Sequence, residues 1–477
     1  MLCGAPDEPE AWRKTEYRYD NRDRVTDTIL FEADGSENRT RYEYDAAGNK
    51  VAVYTGMLGD SPDGAAKTTC EYNRFGKVVK MVDPRSNALP ADDPLHLVET
   101  CVYDAVGRLV SKTDRNKNTT VYAYDALDRV LSETVTVDGV PESISHSYTK
   151  TNQKLSDSNG MLAVTYRYDA RGRLVEQAES DGVVKSFAYD AAGNRTSFTL
   201  TRNGTAEISL GYTYDSLNRL AEVKKGEAVI ARYAYDDNGN RISLEYPESG
   251  LTTAYAYNAA NLVISLVNQR GDTVVSSFSY AYYLDGNQKS KTGADGKVTD
   301  YVYDGMGRLA RESEAEGNTI VYAYDRFSNR SSTTVTGSET YTTTYGYHPN
   351  NWLLTEEKRE KDTVETYRYR YDGNGNQVYR EWSRTGPDDG TPPRVGYVPN
   401  GFRRELATLE IRGYNGFNQM VSLYADGERT AYTYRSDGLR YGKTYGSGAG
   451  ATGVTHLWDG QNIVAEVGAT GNVVARY

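Results

Sequence analysis

Carboxylates and tyrosines recur through this sequence at a fixed spacing: "YEYDAAGNK" from Tyr42, "YAYDALDRV" from Tyr122, "FAYDAAGNR" from Phe187, "YAYDDNGNR" from Tyr233 and "YVYDGMGRL" from Tyr301. Paired carboxylates could hydrolyse a glycosidic bond, one protonating the leaving oxygen while the other attacks or activates water. That chemistry needs a singular site whose two acids titrate apart. An aspartate present in most units serves the unit instead, so no catalytic residue is assigned. Histidines offer no better case. His146 and His456 replace the first tyrosine of the motif, His348 replaces its aspartate, and His96 lies in an inserted stretch. With no H-E-x-x-H or C-x-x-C, no metal site is expected. "DGNGNQ" (372–377) begins like a calcium loop, but its sixth residue is Gln377 and its twelfth position is Ser383, so it reads as a turn. "GAGATG" (448–453) matches a dinucleotide fingerprint with no amphipathic helix after it, and reads as a loop. No cofactor is implied. Cys70 and Cys101 also take the first-tyrosine slot. Two strand spacings of about 4.8 Å each would separate them by about 9.6 Å, beyond the bridging limit of about 7 Å, so no disulfide is expected between them.

What positions these groups is a repeat. Taking the second aromatic of the motif as the anchor, nineteen anchors run from Tyr19 to Trp458, and fifteen of the eighteen intervals are 20 to 25 residues. Such periodicity marks a repeat architecture. The exceptions are 28, 31 and 43 residues; the two longest carry "DPRSNALPADDPL" (83–95) and "SRTGPDDGTPPRVGYVPNG" (383–401), read as inserted loops, and the widest is expected to hide one decayed unit. Thirteen units have Tyr two residues before the anchor, placing both rings on one strand face. One residue after it, fifteen units have Asp or Asn, which start turns by bonding their own backbone. Four residues after it stands Gly, Asn or Asp in all units but one, where Ser328 stands; these types tolerate positive φ. Arg or Asn follows in twelve units. The motif residues are exemplified by Tyr42, Tyr44, Asp45, Gly48; Tyr122, Tyr124, Asp125; Tyr166, Tyr168, Asp169, Gly172; Tyr233, Tyr235, Asp236, Gly239; and Tyr301, Tyr303, Asp304, Gly307, Arg308. Each unit therefore reads strand, tight turn, strand, then a second turn often marked "DG" or "NG", as at Asp34-Gly35, Asp181-Gly182 and Asn203-Gly204.

Nineteen hairpins amount to about forty strands, and open sheets rarely exceed about ten without curling. The sheet is expected to wind, with 42 tyrosines supplying walls that bury a ring and keep a hydroxyl bonded. A β-propeller is the rejected alternative, since two hairpins per blade would give nine or ten blades against the usual four to eight. Residues 1–16 are set aside as a disordered or truncated leading segment, and 17–477 form the repeat region with insertions near 56–69, 84–95 and 383–401. Net charge −11 with scattered Lys and Arg argues against nucleic acid. No apolar run long enough to span a membrane occurs, and the first thirty residues have no signal-peptide pattern.

The motif Y-x-Y-D-x-x-G-[NR], at about 21 residues over 17–477, resembles the YD or RHS repeat family of bacterial Rhs and wall-associated polymorphic toxins and animal teneurins. The resemblance implies an all-β fold, tandem β-hairpins wound into a spiral, hollow shell that encloses a C-terminal toxin domain. "YRSDGLRYGKTY" (434–445) and "LWDGQNIVAE" (457–466) are similar to the units preceding the family's core segment, whose D-P-x-x-G-R-like signature does not occur, so a partial shell without plug or cargo is expected. A non-catalytic, monomeric structural wall of a secreted or cell-surface bacterial protein follows. The alternative is a carbohydrate or cell-surface binding module whose tyrosines stack on glycans, although repeats of that kind are expected to be Trp-rich and only four Trp occur.

Overall fold

A computed structural model describes residues 14–31, 36–387, 402–446 and 451–477, with the side chains of 387 and 402–409 left aside. These residues form 39 strands of one antiparallel sheet, which is not closed, and one short helix, Pro84–Asn87. Strands pair with their neighbours in sequence, as where Ala228–Tyr235 pairs with Arg241–Tyr246 and the latter with Leu251–Tyr257. Burial alternates along them: in Thr119–Tyr124 both tyrosines are half-buried while the residues between are exposed.

Seventeen of the nineteen anchor hairpins show the same irregularity. Ala234 faces Ser243, yet Tyr235 faces Arg241, so Ile242 is an extra residue; the same slip occurs at Tyr19, Tyr168 and Tyr303. A bulge of this kind adds local right-handed twist, which lets a ribbon of many strands avoid lying flat. The turn that follows has one left-handed residue. In eighteen of nineteen units the residue four after the anchor has φ between 57° and 99°, including Ser328 at 63°. The nineteenth unit is different: Trp458 faces Ile463 and Asp459 faces Asn462, closing a two-residue turn with Gly460 at φ 57°. Between units, Asn203 and Gly204 both have positive φ, the mirror-image turn that hairpin twist favours. Asp34-Gly35 lies outside the described residues.

Several sequence-based boundaries need correction. Lys14–Glu16 belong to the strand Lys14–Tyr19 rather than to a leading tail. The 56–69 insertion shrinks to 58–65, because Met57 still pairs with Arg39 and Ala66 with Thr55. Within 84–95, the one helix starts under an Asp83 side chain that accepts from the Ser86 N–H at 2.8 Å. Ser383–Pro387 extend a strand, and 388–401 lie outside the described residues. Among the described residues the 43-residue interval shows no decayed unit: Gln377–Pro387 and Phe402–Tyr414 pair directly from Tyr379–Ile411 to Pro387–Phe402, and both strands are longer than their equivalents. Cys70 and Cys101 are free, and Cys3 is outside the described residues.

The chain divides into two compact units. One, 146–319, has a core of Leu162, Val164, Val183, Phe198 and Leu200, with Phe187 and Phe198 stacked at 5.6 Å. It also buries a Lys185–Glu179 pair at 2.6 Å.

The other combines 13–145 with 320–477. Its two segments meet turn to turn: anchor turns of the later segment dock on the between-unit turns of the earlier one, about 256 to 288 residues upstream, and in order. Asn38 donates to the Arg326 carbonyl at 2.5 Å, and Arg326 donates to the Gly64 carbonyl. Asn350 accepts from the Arg85 N–H at 2.9 Å and donates to Asp83 at 2.8 Å. Asn374 accepts from the Arg115 N–H at 3.1 Å and donates to Asp114 at 2.7 Å, while Asn116 donates to Asp372 at 2.9 Å. The Gly416 N–H reaches Glu142 at 3.1 Å. Glycine is required here by contact, since a Cβ on Gly416 would lie 2.4 Å from a methyl of Val135. Gly416→Ala is therefore expected to destabilise this unit by about 1–3 kcal/mol, the usual cost of overpacking. Denaturant unfolding followed by hydrogen exchange around Val135 would check it; unchanged protection there would contradict the seam.

Candidate functional site

The repeated turn is the site the sequence singles out, and its geometry explains the spacing of every motif residue. In the unit of Tyr168, the Asp169 N–H donates to the Arg173 carbonyl at 2.9 Å and the Gly172 N–H to the Asp169 carbonyl at 2.9 Å. The Asp169 carboxylate accepts from the N–H groups of Arg171 and Arg173, each at 2.9 Å, and from Arg173 Nε at 2.7 Å. One carboxylate thus satisfies two backbone donors and one side chain, and only the residue five after the anchor can reach it. The same side-chain bond joins Arg24 to Asp20, Arg108 to Asp104, Arg129 to Asp125, Arg219 to Asp215 and Arg308 to Asp304, at 2.6–2.7 Å. Where the fifth residue is Asn, its amide does the same, from Asn49 to Asp45 and Asn240 to Asp236 at 2.8 and 2.9 Å. Gly48, Gly172, Gly239 and Gly307 are the left-handed residues, with φ of 95°, 80°, 86° and 80°.

Units lacking the aspartate keep an acceptor. Thr149 Oγ1 takes the Gln153 N–H at 3.0 Å, and His348 Nδ1 takes the Asn350 N–H at 3.3 Å. In the turn begun by Arg435 the acid has moved to Asp437, which pairs with Arg435 at 3.1 Å and accepts from the Leu439 N–H.

The anchor joins one unit to the next. The ladder between units starts only eight residues after an anchor, as at Asp27–Arg41 and Ser243–Ala254, so the carbonyl six residues after the anchor lies beyond its end. The next anchor hydroxyl donates to that carbonyl: Tyr44 to Val25, Tyr124 to Leu109, Tyr168 to Lys154, Tyr235 to Leu220, at 2.7–3.0 Å. Thirteen tyrosine anchors make this bond. Trp458, the one anchor of another type, makes it with its indole N–H to the Arg440 carbonyl at 2.9 Å. Arginines at the fifth position also stack on the next anchor ring, Arg24 over Tyr44 at 4.5 Å and Arg219 over Tyr235 at 4.6 Å.

The first tyrosines are less uniform. Lys50 lies over the Tyr42 ring at 4.2 Å, and the Tyr166 hydroxyl donates to buried Asp157 at 2.8 Å. The Tyr301 carbonyl accepts from Tyr283, whose ring meets Tyr303 edge-on at 6.2 Å. Burial pushes the phenols of Tyr122 and Tyr233 up.

Electrostatics follow the same pattern. The Arg24 guanidinium holds the Asp20 carboxyl below its ordinary value, and the Asn49 and Asn240 amides do so for Asp45 and Asp236. For Asp104, Asp169 and Asp215 the backbone N–H of the fifth residue is the larger cause. Burial raises anchors such as Tyr168, Tyr257 and Tyr371.

The histidines stay apart: His348 stacks on Trp352 at 5.2 Å, and His456 lies near Glu466 at 3.5 Å. Among the described residues no cluster of His, Cys, Asp and Glu could hold a metal ion. "DGNGNQ" is an anchor turn, and from Thr452 the "GAGATG" stretch continues as a strand.

An all-β ribbon of tyrosine-anchored hairpins defines a repeat protein, and the comparisons agree. The sequence matches the RHS repeat over residues 103–141 and 168–206 and the teneurin YD-shell over 200–376. The chain belongs to the RHS/YD-repeat family. No curated protein sequence matches it. Among solved structures, the crystal structure of TcdB2-TccC3-TEV is similar with a TM-score of 0.55 at 12% identity, over 96% of this chain and 32% of that one. The Photorhabdus luminescens Tc holotoxin pore, with a variant TccC3, superposes less closely, at a TM-score of 0.39 and 14% identity over 98% of this chain and 30% of that one. The chain spans about a third of the length of these solved chains.

Two predictions follow from the turn and its anchor. Tyr235→Phe removes the bond to the Leu220 carbonyl, and a net loss of about 0.5–1.5 kcal/mol should speed local hydrogen exchange around Leu220 and Tyr235, leaving units beyond the neighbours unchanged. Aspartates held below their ordinary value of 3.8 contribute stability above that pH, and lose it as pH falls through their folded values. Acid titration of unfolding should show a steep decline below about pH 4, with a shallower slope in Asp169→Asn; an unchanged slope would contradict the assignment.

Proposed function

We propose that this chain is the wall of an encapsulating shell, a non-catalytic structural region of a secreted or cell-surface bacterial protein that encloses and helps deliver a C-terminal toxin domain. The observation that carries this reading is the seam in the 13–145 and 320–477 unit, where consecutive anchor turns dock in order on turns roughly 260 residues earlier. A ribbon that meets itself turn after turn, in order, is building a wall. The fold likeness to TcdB2-TccC3-TEV and the teneurin YD-shell match support the structural part; the toxin cargo, the export and the monomeric state rest on the family resemblance. The motif residues Tyr235, Asp236, Gly239 and their equivalents are, in this proposal, the wall's fasteners. Among the described residues no helix is long and apolar enough to cross a membrane.

Limited proteolysis with fragment mapping tests the wall. Cutting should concentrate at 58–65, 88–97 and 388–401, and small-angle scattering should show the profile of a hollow particle. Cleavage spread evenly over the anchor turns, or scattering from a solid or extended particle, would overturn the proposal.

A further inference from the structure

Four anchor turns of 320–477 dock on the earlier segment. In three of them an oxygen of the first turn residue collects the backbone N–H two residues on: Asp325 at 2.8 Å, Asp372 at 3.0 Å and Asn415 at 3.1 Å. Carboxylate and amide oxygens remain acceptors in mild acid. The fourth turn begins with His348, whose Nδ1 accepts from the Asn350 N–H at 3.3 Å. A ring nitrogen accepts only while it carries no proton. The residue it holds is the one that makes the seam at this point, since Asn350 accepts from the Arg85 N–H at 2.9 Å and donates to Asp83 at 2.8 Å.

We propose that His348 is a pH-sensitive latch on the seam: in mild acid its imidazole takes a proton on Nδ1, the Asn350 N–H loses its acceptor, and Asn350 releases Asp83 and the Arg85 N–H. Histidine is the side chain whose charge ordinarily changes in this range, and none of the other three docked turns carries one at this position. The seam therefore opens here first.

Two charged groups face the imidazole, both from the earlier segment. Arg85 opposes a second positive charge, while Asp83 favours one. Asp83 is already engaged, by the Ser86 N–H at 2.8 Å, by Asn350, and by Arg115 at 3.3 Å. The His348 ring stacks on Trp352 at 5.2 Å, and Arg85 lies 5.9 Å from the centre of the same indole, so an imidazolium there would meet a cation already in place. Tyr371, packed on that indole at 5.3 Å, gives its phenol to the Leu353 carbonyl, and burial pushes it up, so it stays neutral. Burial first, and Arg85 next, hold the His348 imidazole below its ordinary value of 6.5. The closed turn binds the proton less readily than the open one, so stability present above pH 6.5 is lost as pH falls from there through the lowered value.

Hydrogen exchange of the full chain at pH 7 and pH 5, expressed as protection relative to intrinsic rates, tests the latch. Protection of Arg85 and Asn350 is expected to fall about threefold or more, within a limit of about tenfold per pH unit, while protection around Gly64 and Arg326 holds. His348→Asn, which gives the turn the acceptor that Asn415 supplies, should keep the seam and lose this pH dependence. Arg85→Gln should shrink the fall, because the imidazole then titrates nearer its ordinary value, and it decides the matter if His348→Asn fails to fold. Unchanged protection in the parent, an equal fall around Gly64 and Arg326, or a fall as large in either variant would overturn the proposal. The latch rests on the seam and not on what the wall encloses, so scattering from a solid particle would overturn the shell and leave the latch standing.

Discussion

A hairpin of two short strands is marginal in water on its own, and the constraint behind this structure is that every hairpin leaves the same carbonyl beyond the end of its ladder. The bulge after each anchor twists the strand, and pairing with the following unit resumes only two residues later. A buried carbonyl without a donor costs about as much as a hydrogen bond lost. The next tyrosine removes that cost, so folding of one unit favours folding of its neighbour, in the manner of solenoids. Trp458 shows what is selected: a large apolar ring carrying a donor at its far end, whether phenol or indole.

The turn obeys a parallel constraint. Its left-handed residue brings backbone N–H groups together, and the aspartate gathers them. Because the same carboxylate also takes the side chain of the fifth residue, Arg and Asn are interchangeable there although they differ in charge. Arg adds a second duty, reaching the next unit's aspartate carbonyl, as Arg173 does to Asp190 at 2.8 Å. Asn instead bonds the next left-handed asparagine, as Asn194 does to Asn218 at 2.9 Å. The turns therefore form a continuous polar row beside the ladder of rings.

Strand order, facing of the tyrosines and the site of positive φ were legible in the sequence because each depends on residues fewer than ten apart. Ser328 adopts φ 63° although its type gave no signal, since the surrounding turn bonds dictate the conformation. The partnership of the first and fifth turn residues was visible as a correlation but not as a bond. The seam was not legible at all. Its contacts join residues more than 250 apart, and its composition signal is weak: Asn350 and Asn374 share one turn position, but Asn238 holds it too, in a unit with no part in this seam. The decayed unit expected in the 43-residue interval is not seen among the described residues, for a related reason. Interval length alone cannot separate a lost hairpin from two strands grown longer, and only the register distinguishes them.

The seam also explains why turn chemistry varies so little between units with different neighbours. An anchor turn satisfies its own donors internally, which leaves the second and third turn residues free to specialise. In two of the four docked turns the second is glycine, Gly373 and Gly416, whose added Cβ would meet Arg115 and Val135 at 2.6 and 2.4 Å, while the other two carry Arg326 and Pro349 there. Elsewhere the third stays apolar and exposed, as at Val106 and Leu127. Docking is thus a late addition to a turn that is already stable. For that reason a single repeat design can serve both in the middle of a ribbon and along the line where one course of it rests on another.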